Sequence, residues 1–374
     1  MREILFSGPD ITEEDIESVT NVIRGGWLTH GPHTQAFEKR FCDFTGAPLA
    51  TTVSSCTSGL HLSCLALGLG PGDEVIVPAQ THVATAHSVE YTGAKAVFAD
   101  VDPISGNICH EDLVEKLSDS TKAIIPVHMA GVSCDMRKLT STCVDHGLAL
   151  IEDCAHSLGT MFDDTHVGNF GIAGCFSFYP TKQITTGEGG MVISRSEKFI
   201  SQIKKLKAFG IDTDPNKRTI PGIYDVNMLG YNYRMTDFQA ILGERQLSRY
   251  AENLRRRKSN AKEYVNRLSR IAGVRFLDYE EGGSYFLFQI ILDDRYDRNN
   301  VVKKLKDNGI GVSIHYATPV PLMSYYRVRY GYSEKEYPGA VQYGKQSLSL
   351  PVHSKLLETD IEHVCNTLEL ILSG

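Results

Sequence analysis

The stretch "CFSFYPTKQITTGEGGMVIS", residues 175–194, sets a single lysine against an apolar background. The aromatic run 175–179 stops at Pro180, Lys182 follows, and a glycine-rich turn leads to a second apolar run at 191–193. A lysine at the end of a buried strand has two readings. It lies just outside the sheet, solvated or paired with Glu188, or it is a nucleophile that forms a Schiff base with an aldehyde or ketone. The second reading demands an acid for a cofactor ring nitrogen, an anchor for a phosphate and a wall for the ring.

Each demand has a candidate. In "LALIEDCAHS" an apolar strand ends in Glu152 and Asp153, and open α/β sheets bind ligands at the carboxyl ends of their strands. A carboxylate there pairs with a protonated pyridine nitrogen, as pyridoxal 5'-phosphate (PLP) chemistry requires. The plainer alternative makes Asp153 the cap of a helix over 154–158. In "SSCTSGLHLSCLALGLG", hydroxyls at Ser54, Ser55, Thr57 and Ser58 precede Gly59 and an apolar helix. Free amides at a helix start, with side-chain hydroxyls, make an anion site; a serine cap alone is the alternative. Ser177, five residues before Lys182, offers another hydroxyl. For the wall, His82 opens the helix after the strand at 75–78, as a stacking ring or as a polar surface residue. His156, three residues after Asp153, is placed to bond a phenolic oxygen or cover the ring. The 13 histidines show no HxxxH or HExxH spacing, so no metal site is expected.

These residues need a frame. Apolar strand patterns at 75–78, 96–99, 123–127, 148–152, 175–178 and 191–194 alternate with helical ones at 81–92, 110–118 and 135–146. That alternation predicts a mostly parallel sheet covered on both faces, with one of the last two strands antiparallel. At the N-terminus, Thr12 with Asp15 caps a helix whose apolar face is Ile16, Val19 and Ile23; Gly25-Gly26 ends it. A second helix, with Phe37 and Phe41, starts near Thr34. After a helix at 196–208, residues 209–235 form a long polar connection, read as functional or interfacial. Thr236 and Gln239 then open a helix expected to run to about residue 268. Residues 274–374 read as a smaller unit with strands near 285–292 and 312–316 and helices at 299–308, 338–346 and 358–371. Two domains are expected, 1–240 and 241–374.

Composition narrows the class. The chain has 374 residues, 42% hydrophobic and 22% charged, with a net charge of −7 that argues against nucleic acid as a partner. No apolar run approaches the roughly 20 residues that span a bilayer, and the first 15 residues lack a signal-peptide core. Nine cysteines, none in a CxxC pair, read as reduced thiols of a cytoplasmic protein.

With lysine, acid and anion site in place, the chain resembles the DegT/DnrJ/EryC1/StrS sugar aminotransferases along nearly its whole length. The resemblance runs through "GGWLTHGPHTQAFEKRF", "SSCTSGLHL", "GPGDEVIVPAQTHVATAHSVEYTGAKAVFADVD", "IPVHMAG", "IEDCAHSLGT", "FSFYPTKQITTGEGGMV", "GYNYRMTDFQAILGERQL", "IHYATPV" and "LSLPVHSKL", in order. It implies PLP fold type I, an α/β fold: a large domain with a mostly parallel seven-stranded sheet between helices, and a smaller C-terminal α/β domain. It implies that Lys182 bonds PLP and shuttles protons, and that Asp153 holds the pyridine nitrogen. His156 would stand near the ring, and Thr57, Ser58 and Ser177 would bind the phosphate. Asn232 would reach the phosphate of the other subunit's cofactor, making a homodimer with shared active sites and 209–235 an interface loop. Thr29, His315 and Tyr316 would lie near the substrate, and Arg234 near the donor carboxylate or in an interface salt bridge. His82 stands where the family usually has an aromatic ring over PLP, a departure that bears on the substrate.

The expected reaction moves an amino group from L-glutamate, through pyridoxamine phosphate, to a keto sugar. The turn "TKQITTGEGGM" is similar to that of members acting at C4 of a nucleotide-linked 4-keto-6-deoxy sugar, a precursor of surface polysaccharide or lipopolysaccharide. The rival substrate is a keto-sugar acid such as an 8-oxo Kdo-type octulosonate. The family's dehydratases carry histidine in place of the reactive lysine, so Lys182 argues against dehydration. Together with Asp153 and Ser177 it also argues against a cofactor-free regulatory role.

Overall fold

In chain order the strands of the computed structural model are β1 Leu49–Val53, β2 Glu74–Pro78, β3 Lys95–Ala99, β4 Thr121–Ile124, β5 Ala149–Asp153, β6 Met161–Phe162, β7 Thr165–His166, β8 Ala173–Ser177, β9 Gly190–Ser194, β10 Val274–Phe276, β11 Phe288–Leu292 and β12 Ser347–Leu350. The structure describes residues 3–211, 220, 222–279 and 282–373. Seven strands form one sheet in the order β1-β9-β8-β5-β4-β2-β3. The pairings among β3, β2, β4, β5 and β8 are parallel, whereas β9 runs antiparallel to both neighbours. The carboxyl ends of β2, β4, β5 and β8 therefore share one edge with the start of β9. A second sheet, β10-β11-β12, is antiparallel.

The parallel strands are short and mostly buried on both faces, because helices cover the sheet above and below. Val75, Ile76 and Val77 of β2 are fully buried. Phe41 meets Phe37, Phe176 and Phe178 edge to face beside β8, and Phe37 packs tilted on Phe178. Each such ring contributes roughly 1.5–3 kcal/mol by leaving water.

The structure departs from the sequence reading in five places. The first helix, Glu13–Gly25, has the Thr12–Asp15 capping box, but Ile16 and Ile23 are exposed while Asp15 and Val22 are buried. Asp15 turns inward because Arg249 forms an ion pair with it. The helix expected to run to 268 is two helices, Asp237–Ser248 and Tyr250–Leu268, broken at Arg249. Residues 312–316 contribute only a bridge, Ser313 to Ser349. The third strand of the small sheet is β12, whose alternating serines and leucines are all buried. No helix follows Asp153; turns at 155–156 and 158–159 stand there instead. Of the connection at 209–235, residues 212–219 and 221 lie outside the described residues; what is described pairs through Ala208–Asn232 and Ile211–Val226.

Candidate active site

β5 ends in two buried acids that point to opposite faces, as successive strand residues must. Glu152 is a structural staple: its carboxylate accepts from the backbone N–H groups of Gly168 at 2.6 Å and of Phe170 and Gly171 at 2.8 Å. It also faces His128 at 3.2 Å. With Cys154 these two residues bring potential ligand atoms within 4.8 Å of one another, but the carboxylate oxygens are already engaged by the backbone. Asp153 faces the other way and is 4% exposed. Its Oδ2 accepts from the Thr85 hydroxyl at 2.8 Å and its Oδ1 from the Ala155 amide at 3.0 Å. The helix-cap alternative fails, since no helix follows.

Lys182 lies in the turn after β8, its amide donating to Tyr179 O at 2.9 Å. No ion pair joins it to Glu188 among the described residues. Its Nζ sits 4.5 Å from the centroid of the Phe286 ring. Desolvation there draws its pKa from 10.5 to about 8, against the opposing pull of Cys56 and Asp153. Phe286 also packs against His156, with centroids 4.5 Å apart. His156 is buried, and its Nε2 lies 3.3 Å from the Tyr316 hydroxyl. Burial, then Lys182 and the neighbouring histidines, hold its pKa well below the usual range. His315, one residue before Tyr316, is pushed to about 3, mainly by burial. His82 caps the helix Val83–Glu90, its Nδ1 accepting from the Ala84 amide at 3.2 Å. Its ring meets Tyr316 at 5.7 Å, and burial and Lys182 lower its pKa. The fold thus gathers Lys182, Asp153, His82, His156, His315 and Tyr316 at one sheet edge, with the imidazoles neutral beside one amine.

The hydroxyl cluster precedes the helix Cys56–Ala66. Ser55 and Ser58 form a reciprocal capping box: Ser58 N donates to Ser55 Oγ at 3.1 Å, and Ser55 N to Ser58 Oγ at 3.0 Å. The Ser58 hydroxyl donates to Ser55 O at 2.7 Å, which leaves Thr57 and Ser177 as the less committed hydroxyls. Ser177 ends β8 opposite Gly190. A Cβ on Gly190 would lie 2.5 Å from the Ser55 carbonyl carbon, so glycine alone lets β9 start against this turn. Three expected residues stand apart from the cluster, with no contact to Lys182 or Asp153 among the described residues. Thr29 is exposed between the first two helices. Arg234 donates to Asn232 Oδ1 at 3.0 Å and stacks 5.2 Å from the Phe209 ring.

Sequence reasoning missed Thr85, Phe286 and Gln183. Thr85 carries a local signal, since it sits one turn from His82 on the same helix. Gln183 ties Lys182's turn to Leu158 O, Tyr250 and Ser284 through bonds of 3.0 Å each. Phe286 arrives from the small unit and has no local signal.

The residues present fit PLP. The cluster offers a carboxylate, an amine of lowered pKa, and hydroxyls at a helix start. One buried polar atom in it, His156 Nδ1, has no hydrogen-bond partner among the described residues. A model of the DegT/DnrJ/EryC1/StrS aminotransferase family matches residues 9–369. The spore coat polysaccharide biosynthesis protein SpsC of Bacillus subtilis is 37% identical over 99% of this chain and 97% of its own. The PLP form of Spr1654 from Streptococcus pneumoniae superposes at a TM-score of 0.92 with 29% identity, over 100% of this chain and 99% of that one. Helicobacter pylori PseC, an aminotransferase of pseudoaminic acid biosynthesis, superposes at 0.93 with 25% identity over 100% of both chains.

Proposed function

We propose, from the premise that this chain belongs to the DegT/DnrJ/EryC1/StrS aminotransferase family, that it moves an amino group from L-glutamate to C4 of a nucleotide-linked 4-keto-6-deoxy sugar. That it is a PLP-dependent sugar aminotransferase follows from the family; the donor, the carbon and the carrier are our reading. The turn at 181–191, similar to that of C4-aminating members, carries the choice of carbon. The named roles of SpsC, in spore coat polysaccharide, and of PseC, in pseudoaminic acid, support an amino sugar bound for surface glycan such as lipopolysaccharide.

When bound, PLP supplies an electron sink and a carrier for the nitrogen. The chain's own residues do the rest. Asp153 holds the ring nitrogen's proton in place. Thr57, Ser177 and the helix start at Cys56 hold the phosphate. Lys182 Nζ moves the proton at the reacting carbon; with a pKa of about 8, roughly a tenth of it is neutral at pH 7 and able to accept. Phe286 keeps water from that amine. His82, His156 and His315 stay neutral, so they offer hydrogen bonds to sugar hydroxyls without adding charge beside Lys182. We further read the enzyme as a cytoplasmic homodimer in which Asn232 completes the partner's site. Exposed apolar side chains support this: Trp27 and Leu28, and Phe209, Ile220, Ile223 and Leu229 along the connection.

The test starts from protein loaded with PLP and converted by L-glutamate to the pyridoxamine form. Nucleotide-linked keto sugars and an 8-oxo octulosonate are then screened for return of the aldehyde-form absorbance. Return with the 4-keto-6-deoxy sugar, and nitrogen found at C4 by NMR, is expected. Return only with a 3-keto sugar or the octulosonate overturns the substrate reading.

A further inference from the structure

The helix Val83–Glu90 presents two threonines to the acid at the end of β5. Thr85 is fully buried and its Oγ1 lies 2.8 Å from Asp153 Oδ2. Thr81, 1% exposed, lies 2.8 Å from Thr85, hydroxyl to hydroxyl. An ionised carboxylate only accepts, so the Thr85 proton points at Asp153. The Thr85 oxygen must then accept, and the Thr81 hydroxyl is its donor. Proton order therefore runs one way, Thr81 to Thr85 to Asp153, and each bond polarises the next. On the other oxygen, Oδ1 takes the Ala155 amide at 3.0 Å, with the Cys56 thiol 3.8 Å away. Among the described residues Oδ2 accepts no bond besides that from Thr85.

We propose that Thr81 and Thr85 form a hydroxyl relay that aims Asp153 at the PLP ring nitrogen. The inference rests on the PLP reading of the site. Thr85 is a positioning residue: it acts through Asp153, and Thr81 acts through Thr85. Their spacing explains the stretch "QTHVAT", in which His82 sits between the relay's two members and caps the helix that carries Thr85.

The experiment titrates PLP into the apo forms of wild type, T85V, T85S, T81V, T81V/T85V and D153A by fluorescence, with thermal melts to confirm folding. Thr85→Val keeps the shape and removes the donor. Its PLP dissociation constant is expected to rise about ten- to a hundredfold, the worth of one hydrogen bond to a charged group. Its kcat should fall with the KM for glutamate unchanged. Thr85→Ser should restore most of the affinity. Thr81→Val should have a smaller effect, absent in the T85V background. Wild-type PLP affinity in folded T85V, failure of T85S to rescue it, or additive T81V and T85V effects would overturn the relay. If D153A loses PLP while T85V does not, only the relay fails. If D153A binds PLP and turns over like wild type, the site reading itself fails.

Discussion

Two lysines, Lys207 buried and Lys182 half-buried, have a pKa drawn down to about 8, and their surroundings separate them. Lys207 donates to Thr51 Oγ1 and Thr52 O at 2.7 Å each and faces Glu38 at 3.6 Å. The Lys182 amine sits over the Phe286 ring and has no hydrogen bond or ion pair among the described residues, so it is the one placed to react. The linkage gives a prediction. A lysine whose folded pKa lies below 10.5 binds fewer protons folded than unfolded between pH 8 and 10.5, so stability rises with pH across that window. The cost is full below about pH 8. Apo Lys182→Met should therefore be more stable than wild type at pH 7, on the order of 1–3 kcal/mol by urea titration, with the gap closing as pH approaches 10.5. Lys207→Met should instead lose about 3–5 kcal/mol, because it strands the buried Glu38. The sequence singled out Lys182 by its place at a strand end. Lys207 follows an ordinary amphipathic helix, and only the fold reveals its burial.

At the scale of elements, the strands that carry the site were legible because buried parallel strands read as short apolar runs. β1 and β12 were not: "LATTV" and "SLSL" hide buried hydroxyls, of which those of Thr51, Thr52 and Ser349 are hydrogen-bonded within the fold. The exposed Ile16 and Ile23 show the limit of periodicity, since Arg249, over two hundred residues away, draws Asp15 into the core. Gly190 shows what an element junction requires. Gly190→Ala has φ freedom but no room: its Cβ would press on Ser55 and on Cys56 N at 2.7 Å. That shift would displace the helix start that faces the phosphate. The expected outcome is a PLP dissociation constant raised about tenfold or more, with a smaller loss of melting temperature. Unchanged PLP affinity would remove this turn from the cofactor site.

Over the whole molecule, the sequence pattern alone puts the acid, the amine and the hydroxyls at strand ends and helix starts of one sheet. It placed Asn232 at the site of a second subunit, and Arg234 near the donor carboxylate or in an interface salt bridge; among the described residues neither contacts Lys182. Sedimentation of the 41.4 kDa chain should therefore give a dimer. Mixed and re-annealed Lys182→Ala and Asn232→Ala subunits should recover activity that neither has alone, since each heterodimer rebuilds one intact site. Mixing without recovery would show that each subunit owns a whole site.

The central claim is that Lys182 is the lysine that bonds PLP. Borohydride reduction of the PLP-loaded protein, followed by peptide mass spectrometry, tests it most directly. The account predicts a pyridoxyl group on the peptide that contains Lys182. An unmodified Lys182, or label on the peptide of Lys207 instead, would contradict it.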